Sequence, residues 1–193
     1  MRVQEVASGL WRWTGLHPEW QPSDARPPQG WDQEVGCVYY EAADAVVLVD
    51  PLAPPEDEER FWAALDRDVE RAGKPVRILL TVAWHGRSAE AVAERYGAVT
   101  EGSLPAGVEA YAAPAGEETV YRLPEHGALV FGDVVLGADG GVRLCPESWL
   151  TGTRARLKEE LRPLLELPVE RLLVSHGEPV LEDGRAALAL ALA

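Results

Sequence analysis

Long apolar runs, paired cysteines and signal-like segments are all missing from this chain. No apolar run approaches the ~18 residues that a membrane-spanning helix needs. The N-terminal stretch MRVQEVASGLWRW has neither the apolar centre nor the small-residue cleavage site of a secretory signal. The only two cysteines, Cys37 and Cys145, form no CxxC pair, so we expect small buried side chains rather than a disulfide or metal ligands. A cytoplasmic, reducing compartment is therefore predicted.

Positive charge is also scarce. The chain has 18 Lys and Arg residues against 32 Asp and Glu residues, and its net charge is -14. Nucleic acids and anionic membranes recruit proteins through a positive surface, so we predict neither as a partner. A small-molecule ligand is the expected partner. The seven tryptophans also lead us to predict self-association as a homodimer.

The apolar pattern alternates between short strand-like runs and amphipathic stretches, which is typical of α/β layers. At 193 residues, the chain is predicted to form one domain over residues 1–193. Strands are expected over residues 2–14, 35–40, 45–50, 76–81, 119–123, 128–133 and 171–177. Helices are expected over residues 56–72, from a Ser88 cap to Gly97, over 153–167 with a break at Pro163, and after an Asp183 cap at the C-terminus.

A loop of about twenty residues, GLHPEWQPSDARPPQGWDQ (15–33), separates the first strands. Loops this long inside a compact domain are often lids or binding loops. Two interpretations of its tryptophans are equally favoured. Trp20 and Trp31 either close over an apolar substrate or pin the loop to the body of the protein.

Four strand-like runs each lead to an ionisable residue at their carboxyl end: Asp50, His85, Asp133 and His176. Taken singly, each is better explained as a structural turn or cap residue than as a catalytic one. Loops from the carboxyl ends of several strands converge in layered α/β folds, so we expect the four to share a pocket. Imidazole and carboxylate groups would suit a metal ion or acid–base chemistry. His17 could reach the same pocket from the long loop.

The order of these segments resembles the metallo-β-lactamase superfamily. The stretches that carry the resemblance are VVLVDP (46–51), ILLTVAWHGRSAEAVAERYGA (78–98), LPEHGALVFGDVVLG (123–137) and RLLVSHGEPV (171–180). The resemblance implies a four-layer αββα sandwich with its site at one edge of two packed sheets. It also implies that Asp50 is a buried structural residue, that Asp133 is the bridging ligand and that His176 is the last ligand.

The sequence departs from the superfamily's HxHxDH motif. The two histidines of HxH fall on Val82 and Trp84, and the DH pair falls on Gly86 and Arg87. The superfamily's middle histidine is expected shortly before TVYRL, but APAGEE (113–118) contains none. Only Asp133 and His176 keep their places, so a dinuclear hydrolase is not expected. His85, one position out of register, is the remaining candidate for a third ligand.

Three functions remain open at this stage. The favoured hypothesis is a metal-free ligand-binding protein or pseudoenzyme, in which His85 pairs with Asp133 and the ligand contacts Trp20, Trp31, Trp84 and Arg87. In the alternative, His85, Asp133 and His176 hold one zinc, iron or manganese ion for hydrolysis of an ester, thioester or lactone, and Arg87 binds a carboxylate or oxyanion. The third is metal-free acid–base catalysis by His85, oriented by Asp133.

Overall fold

The computed structural model describes residues 1–27, 30–100 and 102–193, so positions 28 and 29 of the long loop lie outside the described residues. The strands are β1 (Arg2–Ala7), β2 (Leu10–Leu16), β3 (Glu34–Glu41), β4 (Val46–Val49), β5 (Val76–Leu79), β6 (Glu109–Ala113), β7 (Glu118–Leu123), β8 (Ala128–Phe131), β9 (Val135–Ala138), β10 (Gly141–Leu144) and β11 (Arg171–Val174). Strands β1 to β5 form one sheet in that order. A second sheet has the order β11-β8-β7-β6, and β9 and β10 form a hairpin.

In the described part of the chain, four helices flank the sheets: α1 (Glu58–Ala72), α2 (Ala89–Tyr96), α3 (Arg154–Leu161) and α4 (Gly184–Leu192). Helix α1 follows the predicted amphipathic pattern, because Phe61 and Leu65 are buried on one face. It ends at Gly73, whose φ of 60° is the left-handed conformation that glycine adopts without strain. Within the described residues, the helices include none that has the length and apolar character needed to cross a bilayer.

Alternating side chains in the strands divide the core into three parts. In β4, Val46 and Leu48 pack with α1 and α2, whereas Val47 and Val49 face the second sheet. In β8, Phe131 packs against α3 and α4, on the other side of the second sheet. The layers are therefore helices, sheet, sheet and helices, which confirms the predicted αββα sandwich.

Several local predictions differ from the structure. The expected strand over residues 2–14 is two antiparallel strands, because the chain turns at Gly9, which has a φ of 78°. Ser88 does not cap α2 with its side chain; its Oγ accepts a hydrogen bond from the Ala53 amide instead. Asp183 likewise precedes α4 without a side-chain capping bond. The break at Pro163 is confirmed, since α3 ends at Leu161 and a short 3-10 helix follows.

The two sheets meet at the edge where four strands end. Strands β4 and β5 run parallel in the first sheet, as do β8 and β11 in the second. Backbone hydrogen bonds join the sheets there, from the Thr119 amide to the Thr81 carbonyl and from the Gly36 amide to the Ser175 carbonyl. The residues that follow these strands are consequently brought to one place.

Candidate functional site

His85 lies between two carboxylates. It belongs to a short 3-10 helix, Ala83–Gly86, that follows β5, and its side chain is almost fully buried. The Nδ1 atom is 2.9 Å from Asp50 Oδ2, and the Nε2 atom is 3.2 Å from Asp133 Oδ1. A carboxylate only accepts hydrogen bonds, so Nδ1 donates to Asp50, and Nε2 forms an ion pair with Asp133 when it carries a proton. The two neighbouring anions favour the imidazolium form of His85.

The charge of His85 follows from its surroundings. Burial acts to lower its pKa, but the negative charge of Asp50 and the hydrogen bonds to Asp133 and Asp50 outweigh burial and raise the pKa to about 9. Asp50 itself is 2% exposed and also accepts hydrogen bonds from the Thr81 amide and hydroxyl. Asp50 therefore fixes both the orientation and the protonation of His85.

Asp133 accepts hydrogen bonds from three side chains. Its Oδ1 atom is 3.2 Å from His85 Nε2 and 3.1 Å from His176 Nε2, and its Oδ2 atom accepts the Trp84 indole N–H at 2.8 Å. Burial acts to raise the pKa of Asp133, but the hydrogen bonds from His176 and His85 prevail and hold it well below its usual range. The carboxylate stays charged at neutral pH.

His176 follows β11 and lies between two tryptophans. Its ring centroid is 5.2 Å from that of Trp31 and 6.0 Å from that of Trp149, both in edge-to-face geometry. Burial lowers the pKa of His176, which favours the neutral ring. Its Nε2–H then donates to Asp133. Its buried Nδ1 atom has no hydrogen-bond partner within the described part of the chain.

These groups lie beside a cavity of about 390 Å³, which we call the tryptophan-lined cavity. Its walls include the rings of His17, Trp31, Trp84 and Trp149. Its polar floor includes His85, Asp133 and His176. The volume lies within the ~300–1,000 Å³ range that is usual for small-molecule sites, and aromatic walls over a few polar groups are typical of such sites. Trp84 is 56% exposed, so this indole also faces solvent.

The predicted site residues do not all line this cavity. Trp20 is absent from its wall; its indole N–H donates to the Trp31 carbonyl at 3.1 Å and so braces the loop. Arg87 lies on the wall, but its guanidinium donates to the carbonyls of Gly36 and Asp50, at 3.4 and 3.2 Å. The remaining predicted residues, His85, Asp133, His176, Trp31 and Trp84, meet as expected.

Sequence reasoning missed several residues that shape the site. Trp149 and Cys145 line the cavity, although the residues from 138 to 152 gave no strand or helix signal. Both cysteines are buried and free, as predicted, and burial raises the pKa of Cys145 to about 11. Glu118 lies under Asp133, in the stretch that lacks the superfamily's middle histidine. In the sequence, the one feature that could have pointed to Glu118 is its place directly before the β-prone run TVYRL.

A metal ion can be tested against these donors. His85, Asp133 and His176 each offer one ligand atom, and these atoms lie within 4.8 Å of one another. The 3.1 and 3.2 Å separations are close to the roughly 3.3 Å that separates neighbouring ligands around tetrahedral zinc. The three residues therefore fit one ion when His85 Nε2 carries no proton. They do not fit two ions, because Val82, Trp84, Gly86 and Arg87 offer no ligand atom.

Comparison with solved structures identifies the architecture. The metallo-β-lactamase IND-7 is 11% identical, with a TM-score of 0.65 over 99% of this chain and 97% of that one. FIM-1 from Pseudomonas aeruginosa, a metallo-β-lactamase in its mono-zinc form, is 13% identical, with a TM-score of 0.61 over 99% and 94%. The chain has the metallo-β-lactamase fold. A metallo-β-lactamase from Erythrobacter litoralis is 17% identical, with a TM-score of 0.59 over 98% and 89%.

Comparisons with protein families and with curated sequences do not reduce the number of candidate functions. No protein-family model and no curated sequence matches the chain. Identities of 11–17% establish a shared fold and not a shared activity. The candidate metal-ligand residues of this chain differ from those of the superfamily's HxHxDH motif. Its histidine–carboxylate cluster retains a partial metal-binding group, and a tryptophan and an arginine stand at positions where the superfamily motif has histidines.

Proposed function

We propose that this protein binds a small, largely apolar organic molecule in the tryptophan-lined cavity without a metal ion. The observation that carries the proposal is the pair of carboxylates on His85, at 2.9 and 3.2 Å from its two ring nitrogens. A histidine that donates both N–H groups has no lone pair for a metal ion. Asp133 is likewise engaged by three N–H donors.

The charge balance supports the same conclusion. At neutral pH, the negative charges of Asp50 and Asp133 are opposed by the positive charges of His85 and Arg87. Binding a divalent ion with loss of the His85 proton would add one net positive charge to a largely buried site. Such a charge is costly unless further anions compensate it. Arg87 adds to the cost, because its guanidinium lies beside this cluster.

The ligand's contacts are proposed to be mainly aromatic. Trp31 and Trp149 flank the floor of the cavity, and the exposed Trp84 stands at its wall. Indole rings offer large apolar faces at a low cost in conformational entropy, so they contribute strongly to binding. His17 adds a fourth ring, which packs against Trp31 at a centroid distance of 5.5 Å.

A second candidate function is a mononuclear hydrolase. The close approach of His85, Asp133 and His176 favours it, as does the hydrogen bond from His85 Nδ1 to Asp50, since metal-bound histidines commonly donate their second N–H to a carboxylate. FIM-1, which shares the fold, is known in a mono-zinc form. The chemistry that one ion would supply here is a lowered pKa of water, which suits hydrolysis of an ester, thioester or lactone.

Metal content separates the two candidates. We expect protein purified without a histidine tag or chelator to contain far less than one equivalent of zinc, iron or manganese by elemental analysis. We also expect no uptake of added zinc in calorimetry, because the proton on His85 Nε2 and the N–H donors on Asp133 oppose it. One bound ion per chain, lost in both His85→Ala and His176→Ala, would instead establish the hydrolase site.

Ligand binding can be tested with three fluorinated aromatic probes of different charge: 4-fluorophenol, 4-fluorobenzoate and 4-fluorobenzylamine. We expect at least one to bind the wild-type protein, as seen by broadening of its fluorine NMR signal. Trp149→Ala should weaken that binding by about tenfold, because it removes one wall of the cavity. Trp11→Ala, which alters a tryptophan outside the cavity, is the matched control. Equal affinity in wild type and Trp149→Ala would exclude this cavity.

A further inference from the structure

Glu118 is a buried carboxylate whose partners are three consecutive backbone amides. Its Oε1 atom accepts from the Gly132 amide at 2.9 Å, and its Oε2 atom accepts from the Asp133 and Val134 amides at 2.6 and 2.8 Å. Glu118 is only 3% exposed. Consecutive N–H groups that converge in this way form an anion-binding concavity, and here the anion belongs to the chain itself.

No cationic side chain pairs with Glu118 among the described residues. Burial and the nearby charge of Asp133 raise the pKa of Glu118, whereas the three amide hydrogen bonds lower it. Both of its oxygens accept from N–H groups, which is the geometry of a charged carboxylate. Burying a carboxyl group is costly, and packing alone could be achieved by an apolar side chain. The amides that Glu118 holds are those of Asp133 and of its two neighbours. Its position therefore bears directly on where the Asp133 carboxylate lies.

The contacts of Gly132 extend this arrangement to His85. A Cβ atom at Gly132 would lie 2.3 Å from Thr81 Oγ1, so the loop packs tightly against Thr81. Thr81 in turn donates to Asp50 and lies 3.2 Å from His85 Nδ1. Asp50 fixes one side of His85, and Glu118 fixes the loop that carries Asp133 on the other side. Neither carboxylate lines the cavity.

We propose that Glu118 is a positioning residue, which holds the loop from Gly132 to Val134 so that Asp133 meets His85, His176 and Trp84 without a metal ion. This inference rests on the proposed metal-free binding function. Glu118 directly precedes Thr119, in the stretch where a histidine was expected from the superfamily resemblance. Here a carboxylate bound to backbone amides provides the order that a bound ion would otherwise provide.

Glu118→Gln tests the proposal, because glutamine keeps the size of the side chain but must place an N–H group against one of the three amides. Nitrogen and proton NMR of the histidine rings reports the His85–Asp133 hydrogen bond directly. In the wild type we expect two downfield N–H signals from His85. In Glu118→Gln we expect the Nε2–H signal of His85 to move upfield or vanish. The signal of the His85 Nδ1–H group, which donates to Asp50, should persist. Binding of the fluorinated probes should weaken by about tenfold.

Glu117→Gln is the matched control, because Glu117 is the exposed neighbour of Glu118. Both variants are measured well below their unfolding midpoints. If Glu118→Gln lowers the midpoint but leaves the ring signals of His85 and His176 and the probe affinity unchanged, Glu118 is only structural and the proposal is overturned. A wild-type spectrum without an Nε2–H signal, together with bound metal, would refute the proposed function instead. The two failures are therefore distinguishable.

Discussion

Replacing Asp50 by asparagine is expected to lower the free energy of unfolding by about 3 kcal/mol at pH 7, the range found when one partner of a buried ion pair is removed. Asp50 is 2% exposed and accepts hydrogen bonds from Thr81 and His85. Asparagine removes the charge that stabilises the His85 imidazolium and places an N–H group against one of these donors. Chemical denaturation followed by circular dichroism measures the change.

The choice of asparagine isolates the charge. Asp50 has a φ of 50°, and asparagine tolerates this left-handed conformation, whereas alanine would add backbone strain. Asp139→Asn, at an exposed position between β9 and β10, is the control and should change stability by less than about 0.5 kcal/mol. A loss in Asp50→Asn as small as in this control would mean that His85 is neutral and that the ion pair does not form.

Local patterns in the sequence predicted α/β layers, and the αββα order of those layers was implied by the resemblance to the superfamily. Val46 to Val49 alternate between two apolar environments, and an uninterrupted apolar run is what such a doubly covered strand requires. The meeting of His85, Asp133 and His176 at one cavity followed from a rule of topology, that the carboxyl ends of neighbouring strands share one edge. Asp50 was expected in the same pocket, but it contacts His85 from outside the cavity wall. Both predictions needed only the order and polarity of residues along the chain.

The finer structure of the site could not be predicted in this way. Glu117 and Glu118 are adjacent and chemically identical, yet one is exposed and the other is buried under Asp133. The three amides that distinguish them lie 14 to 16 residues away and come within reach only when β7 pairs with β8. Similarly, Trp20 and Trp31 occupy one loop, and only tertiary packing places Trp31, rather than Trp20, against His176.

Trp84 illustrates how the substitutions in the motif act together. At this position the superfamily motif has a histidine, and here the indole N–H donates to Asp133 Oδ2. An N–H donor satisfies the same lone pairs of a carboxylate that a metal ion would occupy. His85 and His176 lie on Oδ1, so three N–H-bearing side chains surround the Asp133 carboxylate. In the metal-free function that we propose, these groups take the place of a metal ion.

The stability of the protein is expected to depend on pH through His85. Its pKa is raised from 6.5 to about 9 in the folded state, so its contribution is fully present below pH 6.5 and is lost as the pH rises to 9. A pKa shift of this size corresponds to a contribution of roughly 3 kcal/mol to the free energy of unfolding. At the acid end, the lowered pKa of Asp133 means that the same ion pair is lost as the pH falls below 3.8.

Denaturation of wild type and His85→Gln at intervals from pH 5 to 9.5 measures this effect. The difference in unfolding free energy between the two proteins should fall by roughly 3 kcal/mol from pH 6.5 to 9. Taking the difference matters because burial lowers the pKa values of His17, His126 and His176, and these groups make stability rise with pH. His85→Gln retains the contributions of His17 and His126. A difference that is constant from pH 6.5 to 9 would show that His85 is not held as an imidazolium, and the metal-free arrangement of the site would have to be abandoned.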